Sequence, residues 1–291
     1  MDNRLLRNNF KLYNKQELID LINSIEISTN GKQVITKFKG RVVNISNVSN
    51  RYEVFDISSY IKSKLDDLEK NFTITYYKLR IYRGIQELTL LSDKVSIGGK
   101  NYYKSFFILN STNKTRALNI NMGLYCVDNN ASYVFSIQNL SMRNKHYKGV
   151  THKAEEISHF ITDENFNEQI EAIDSLVGEK VMLSKLQEVV VDKDLKINHT
   201  KFDAFKNQLL WSRTNRNEFR DDQLKILMTR SENIKFSIQN DIEIDAFRAF
   251  NCYIQIFSRQ DSFVIKKETQ KIMNITKYFI RNQKIEEILY A

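Results

Sequence analysis

Three of the four histidines in this 291-residue chain, His146, His152 and His159, fall in one short stretch. If residues 152–160 form a helix, His152, Glu155, Glu156 and His159 share a face, because separations of three, four and seven return to the same side. With His146 such a stripe could ligate a metal. The sequence has no HExxH or EF-hand spacing, and Lys153 interrupts the set, so the stripe reads as polar surface and no metal is expected. Cys126 would be a nucleophile if the fold brought His146 and Asp128 beside it. It sits inside GLYCVDN, a strand-like run where a free cysteine behaves as a small buried apolar residue. Gly98–Gly99–Lys100 lacks the spacing of a phosphate loop and precedes a strand rather than a helix. The carboxylate pairs Asp66–Asp67, Glu155–Glu156 and Asp221–Asp222 lie on amphipathic stretches and read as solvated faces, not acid–base pairs. The expectation is a protein that is not an enzyme, with no catalytic residue and no cofactor.

The chemistry that remains is recognition of a polyanion. In TYYKLRIYRG (75–84) a strand places Tyr76, Lys78, Arg80 and Tyr82 on one face and Tyr77, Leu79, Ile81 and Arg83 on the other. The first set is odd for a core and suits a surface that stacks bases and neutralises phosphates. KNYYKSFF (100–107) adds Lys100, Tyr102 and Lys104 in the same period. Residues 139–153 carry Arg143, Lys145, Lys148 and Lys153 without an acidic residue. Tyrosines at strand positions also serve as packing residues with wet hydroxyls.

The charge is divided along the chain. Residues 1–150 hold 23 Lys+Arg against 12 Asp+Glu, whereas residues 151–291 hold 21 against 23. Such a division points to a face that meets a polyanion rather than to charge spread for solubility. The elements divide at the same place. Leu18, Leu21, Ile22 and Ile25 make a helical stripe over 14–25, alternating β-branched residues follow over 34–45, and RYEVFDI (51–57) reads as a strand. YIKSKLDDLEKNF has its apolar residues on one helical face, with Ser58 or Ser59 as the cap. Residues 73–138 are a run of strands, with Gly98–Gly99 as a hairpin turn. Beyond about residue 150 helical spacing takes over. The expected fold is α+β: an antiparallel-rich mixed sheet with packed helices over residues 1–150, then a mostly helical domain over 151–291. No run approaches the roughly 20 apolar residues of a membrane span, the N-terminus lacks a signal-peptide h-region, and the two cysteines do not make a disulfide framework. The expected location is the cytoplasm. The sequence has no proline, little glycine and much Asn, Lys and Ile, which is the coding bias of an AT-rich genome such as many bacteriophages carry.

Several motifs recur in a familiar order: VSNRYEVFD (48–56), SIGGKNYY (96–103), ILNSTNKTRAL (108–118), GLYCVDN (123–129) and RNKHYKG (143–149). Over about residues 42–155 they resemble the phage- and plasmid-encoded family known as domain of unknown function 932. Asn110, Ser111, Arg116, Ala117, Leu118, Cys126 and His146 stand where that family's pattern puts them, while Lys114, Gly123 and Asp128 depart from it. The resemblance implies a phage or mobile-element setting and no particular chemistry. The order of strands and helices is also somewhat similar, at the level of fold, to phage single-strand-annealing recombinases.

The function expected from these readings is sequence-tolerant binding of single-stranded DNA in replication, recombination or early transcription. Lys78, Arg80, Arg83, Lys100, Lys104, Arg116, Arg143, Lys145 and Lys148 would contact phosphates, and Tyr76, Tyr82 and Tyr102 would stack bases. The helical half would form homo-oligomers or recruit a phage or host replication or transcription protein. The alternative is a non-enzymatic virion or host-takeover component whose basic face binds an acidic protein.

Overall fold

The computed structural model describes residues 10–49, 52–112, 118–127, 131–134, 141–144, 163–191, 199–211, 219–237 and 241–258. The chain is α+β, with strands mostly in the first half and helices later, joined in antiparallel sheets. It divides into two compact units. The first comprises residues 1–96, 101–128 and 137–168; the second comprises 97–100, 129–136 and 169–291. The division is therefore not a single cut near residue 150.

The first unit opens with β1 (Lys11–Leu12) and α1 (Lys15–Asn23). Asn14 caps that helix by accepting a hydrogen bond from the Glu17 backbone N–H at 3.0 Å, satisfying one of the donors a helix start leaves open. Leu18 and Ile22, four apart, form its buried stripe. Ile25 does not complete the helix: it begins β2 (Ile25–Asn30), which pairs with β3 (Gln33–Phe38), itself paired with β4 (Arg41–Asn47). RYEVFDI forms no strand over its described residues 52–57: residues 52–56 are irregular and Ile57 opens a helix. Tyr52 instead donates its hydroxyl to the Ser111 carbonyl at 2.6 Å, and Asp56 caps α2 (Ile57–Asn71). Ser58 and Ser59 are not the cap. They donate to it, from the Ser58 N–H at 2.9 Å and the Ser59 hydroxyl at 2.7 Å. A carboxylate accepts both donors at once, which a serine hydroxyl does less well. Ile57, Tyr60, Ile61, Leu65 and Leu68 then bury one face of α2, each worth roughly 1.5–3 kcal/mol of transfer from water.

The main sheet runs in the order β1-β5-β6-β7-β8-β10, with β5 Tyr76–Tyr82, β6 Ile85–Ile97, β7 Lys100–Ser111, β8 Leu118–Cys126 and β10 Ser141–Asn144. The central strands are buried on both faces and take polar residues inside with them, among them Gln86, Thr89, Ser105, Asn110, Asn119 and Asn121. Gly98 and Gly99, at φ 53° and 75°, form the hairpin turn between β6 and β7, a geometry that favours glycine at both positions. The tip of that hairpin belongs to the second unit, where the space beside the Gly98 α-carbon is filled by the Phe247 ring.

In the second unit β9 (Ala131–Val134) lies on the last described helix. It is followed by α3 (Asp163–Asp174, which starts in the first unit), β11 (Lys180–Met182), α4 (Leu183–Val191), α5 (His199–Trp211), α6 (Asp221–Met228), β12 (Glu243–Asp245) and α7 (Ala246–Ser258). Helix α5 packs on α6 and α7, and Phe205 stacks on Tyr253 with ring centroids 4.1 Å apart. Lys206 is buried beside them, paired with Asp203 at 2.9 Å and donating to the Thr229 carbonyl. Burial pushes the Lys206 ammonium below its ordinary value, with the Asp203 carboxylate working against the shift. Burial pushes the Asp203 carboxyl up, but hydrogen bonds from Lys206 and from the Ser231 backbone outweigh it and hold the group low. Among the described residues no helix is long and apolar enough to cross a membrane.

Candidate nucleic-acid interface

Register decides which residues share a face of the main sheet. Tyr76, Lys78, Arg80 and Tyr82 of β5 lie opposite Leu91, Thr89, Glu87 and Ile85 of β6. Tyr103, Ser105 and Phe107 of β7 lie opposite Tyr125, Gly123 and Asn121 of β8. The Tyr76 and Tyr103 rings meet edge to face, with centroids 6.0 Å apart, so these sets belong to one face. The opposite face is tied by the Asn110 amide, which donates to Gln86 Oε1 at 2.7 Å and to the Phe55 carbonyl at 2.8 Å.

On the first face the basic–aromatic alternation of β5 is present, and it grades from packed to exposed along the strand. Tyr76 packs against a buried cluster of Phe10, Leu91, Tyr103, Tyr125 and Val127. Burial pushes the Tyr125 hydroxyl up to about 12, so it stays protonated through the neutral range. Lys78 is half-buried, with its ammonium 5.4 Å from the Phe10 ring centroid. Arg80 is half-buried and sits opposite the buried Glu87 in the register. Only at the end of the strand does the face open. Tyr82 is 50% exposed, and the Arg83 guanidinium lies 5.0 Å over its ring. That distance is within the range of a cation–π contact.

The turn that presents this pair is held from several sides. Arg83 and Gly84 both have positive φ, 46° and 76°. Thr112 donates its backbone N–H to the Gly84 carbonyl at 2.8 Å and shares a short hydroxyl–hydroxyl bond of 2.6 Å with Thr36. Its own carbonyl accepts from the Ser46 hydroxyl at 2.6 Å. Thr112 therefore clasps the β5–β6 turn, the end of β7 and the small sheet together. The sequence reading missed this residue, although a polar run (Asn110, Ser111, Thr112) directly after an apolar strand is a signal for such a strand-end anchor.

Two expected contacts are corrected. Tyr102 is 1% exposed and Lys104 is buried, and both lie on the face opposite to Tyr76, because they pair with Cys126 and Leu124 rather than with the Tyr125 and Gly123 set. Even-numbered positions in β5 and β7 do not point the same way, so a shared period along the sequence did not mean a shared face. Lys104 lies with its ammonium 5.6 Å from the Phe166 ring centroid, and Tyr102 is part of the core. Lys100 is half-buried and belongs to the second unit. Arg143 stands opposite Asn119 in the β8–β10 register. Arg116, Lys145 and Lys148 lie outside the described residues, as do His146, His152 and His159. Cys126 and Cys252 are buried, and Asp66, Asp221 and Asp222 are exposed.

No known family model matches the chain, no curated protein matches it, and no solved structure matches its fold.

Proposed function

We propose that the chain binds single-stranded nucleic acid without catalysing a reaction on it, over the open end of the first sheet face. The observation that carries this reading is the half-exposed Tyr82 ring with Arg83 over it, on a turn held by Thr112 in the half of the chain where cations outnumber acids. A base stacks on the tyrosine, and the guanidinium meets the neighbouring phosphate. Arg80 and the further cations of the first half of the chain, Arg116, Arg143, Lys145 and Lys148, would supply the other phosphate contacts. The setting proposed is replication, recombination or early transcription of a phage or plasmid in the cytoplasm of a bacterial host, a reading that rests on the proline-free, Asn-, Lys- and Ile-rich composition and not on a family match.

Six phosphate contacts on a single strand give a salt slope of about −4, which is a loss of about 300-fold in affinity between about 50 mM and about 200 mM salt. Fluorescence anisotropy with a labelled oligothymidylate at the two salt concentrations measures it. A chain that binds no oligonucleotide at the lower salt does not have this function.

A further inference from the structure

The three-stranded sheet β2–β3–β4 has one face turned inward and one open to solvent. Val34 and Thr36 are buried, and Ser46 reaches the Thr112 carbonyl, so the alternating positions Gln33, Ile35, Lys37 and Ile45 face outward. On that outer face Ile35 lies opposite Ile45, Lys37 lies opposite Val42, and Glu26 lies opposite Lys37 on the other side. Val42 is 54% exposed and Ile45 is 60% exposed. An apolar centre with polar margins is the anatomy of a protein contact.

We propose that this face is a contact between two copies of the chain, stacked sheet against sheet about a two-fold axis. Ile35, Val42 and Ile45 of each copy form the centre. Lys37 of each copy meets Glu26 of the other. The charge pattern selects this occupant. The face carries one cation and one anion, with Lys37 Nζ and Glu26 Oε2 3.9 Å apart. Within the strands the two charges of this face cancel, and the other cations of the small sheet, Lys32, Lys39 and Arg41, lie at its turns and at the start of β4. An isologous interface needs a surface complementary to itself, and neighbouring charges of opposite sign supply that when one copy is turned over onto the other. Strands of six or seven residues, three abreast, span about 20 by 14 Å, or roughly 300 Å². Stable dimers use about 800 Å² per partner. The contact is therefore weak, and it populates at high concentration or when copies are held side by side.

Sedimentation velocity of the full chain from about 5 to about 300 μM tests the proposal, over the range where weak contacts of this size are populated. The weight-average mass is expected to rise above 34.4 kDa with concentration. Ile45→Glu is a change at an exposed position that leaves the fold intact, and it should raise the dissociation constant at least about tenfold, the effect of one buried unpaired charge. Lys37→Glu should weaken association likewise, and Lys37→Glu combined with Glu26→Lys should restore it. A wild-type chain that stays at its monomer mass at the highest concentration overturns the proposal. So does an Ile45→Glu chain that associates like wild type, or a double charge reversal that does not recover. If the wild-type chain is monomeric and Ile45→Glu instead lowers oligonucleotide affinity, the face belongs to nucleic acid and the proposal falls.

Discussion

The turn that presents Tyr82 and Arg83 depends on Gly84, and Gly84→Ala puts a number on that dependence. At φ 76° an L-residue costs roughly 1–2 kcal/mol of backbone strain. A β-carbon built there would stand 2.7 Å from Asn44 Cγ, 2.8 Å from its Nδ2 and 3.0 Å from its Cβ. Asn44 must then turn away and give up its 3.3 Å hydrogen bond to the Ser46 hydroxyl, worth about 0.5–1 kcal/mol. The two contributions predict a destabilisation of about 1.5–3 kcal/mol. They separate in a double-mutant cycle. In an Asn44→Ala background the two closest contacts are gone, so the cost of Gly84→Ala should fall by about 1 kcal/mol, leaving the backbone part. Urea unfolding followed by circular dichroism gives the stabilities, and exchange of the Thr112 amide, which donates to the Gly84 carbonyl, reports the turn directly. A Gly84→Ala cost below about 0.5 kcal/mol would show that the turn does not need glycine. An equal cost in both backgrounds would refute the steric part.

Four further outcomes are expected. Tyr82→Ala should weaken oligonucleotide binding by roughly 1–3 kcal/mol, the worth of one stacked base. Arg83→Ala should reduce the salt slope by about 0.7, whereas Lys104→Met, on the covered face, should leave the slope unchanged; anisotropy titrations distinguish them. In the second unit, Asp203→Asn strips the buried Lys206 of its counter-charge and should cost about 3 kcal/mol, most of it recovered in Asp203→Asn/Lys206→Met, as read from urea melts of Trp211 fluorescence. The pH dependence follows from the two shifts. Asp203, whose folded pKa is depressed, contributes stability present above its ordinary value of 3.8 and lost as pH falls through the lower folded value. Lys206, also depressed, costs stability at neutral pH, and that cost is relieved as pH rises from its folded value towards 10.5. Melts between pH 2 and pH 10 should therefore lose stability at the acid end in wild type and lose less of it in Asp203→Asn/Lys206→Met.

The sequence disclosed what short-range spacing controls. Leu18 and Ile22 at four residues apart marked α1, the Gly98–Gly99 pair marked its hairpin, and the alternation of Tyr76, Lys78, Arg80 and Tyr82 marked one face of β5. Features set by pairing with distant chain were hidden. Ile25 continues the helical stripe in sequence, yet it starts β2, because Phe38 lies opposite it. RYEVFDI has strand composition, but no described strand pairs with it, and its residues instead anchor Ser111 and cap α2. VMLSKLQEVV, which sequence spacing did not assign, divides into β11 and α4. The candidate site divides along the same line. The alternation within β5 was legible from its own residues. Which face of β7 matched it depended on a register that no local pattern encodes, and Tyr102 and Lys104 fell on the other side for that reason.

The β6–β7 hairpin has a consequence for the order in which a ribosome delivers this chain. Its tip, Ile97–Lys100, belongs to the second unit, and Gly98 is matched to Phe247 in α7. The first unit has all of its residues once position 168 has emerged, whereas the tip must wait for α7, which ends at Ser258. At translation speeds of about 5–20 residues per second, that is an interval of roughly 5–18 seconds. During it the first unit can fold, while two adjacent glycines project with their future neighbour still unsynthesised. Synthesis thus fixes an order for this one contact of the second unit: the Gly98–Gly99 turn is made first, and Phe247 reaches Gly98 only afterwards.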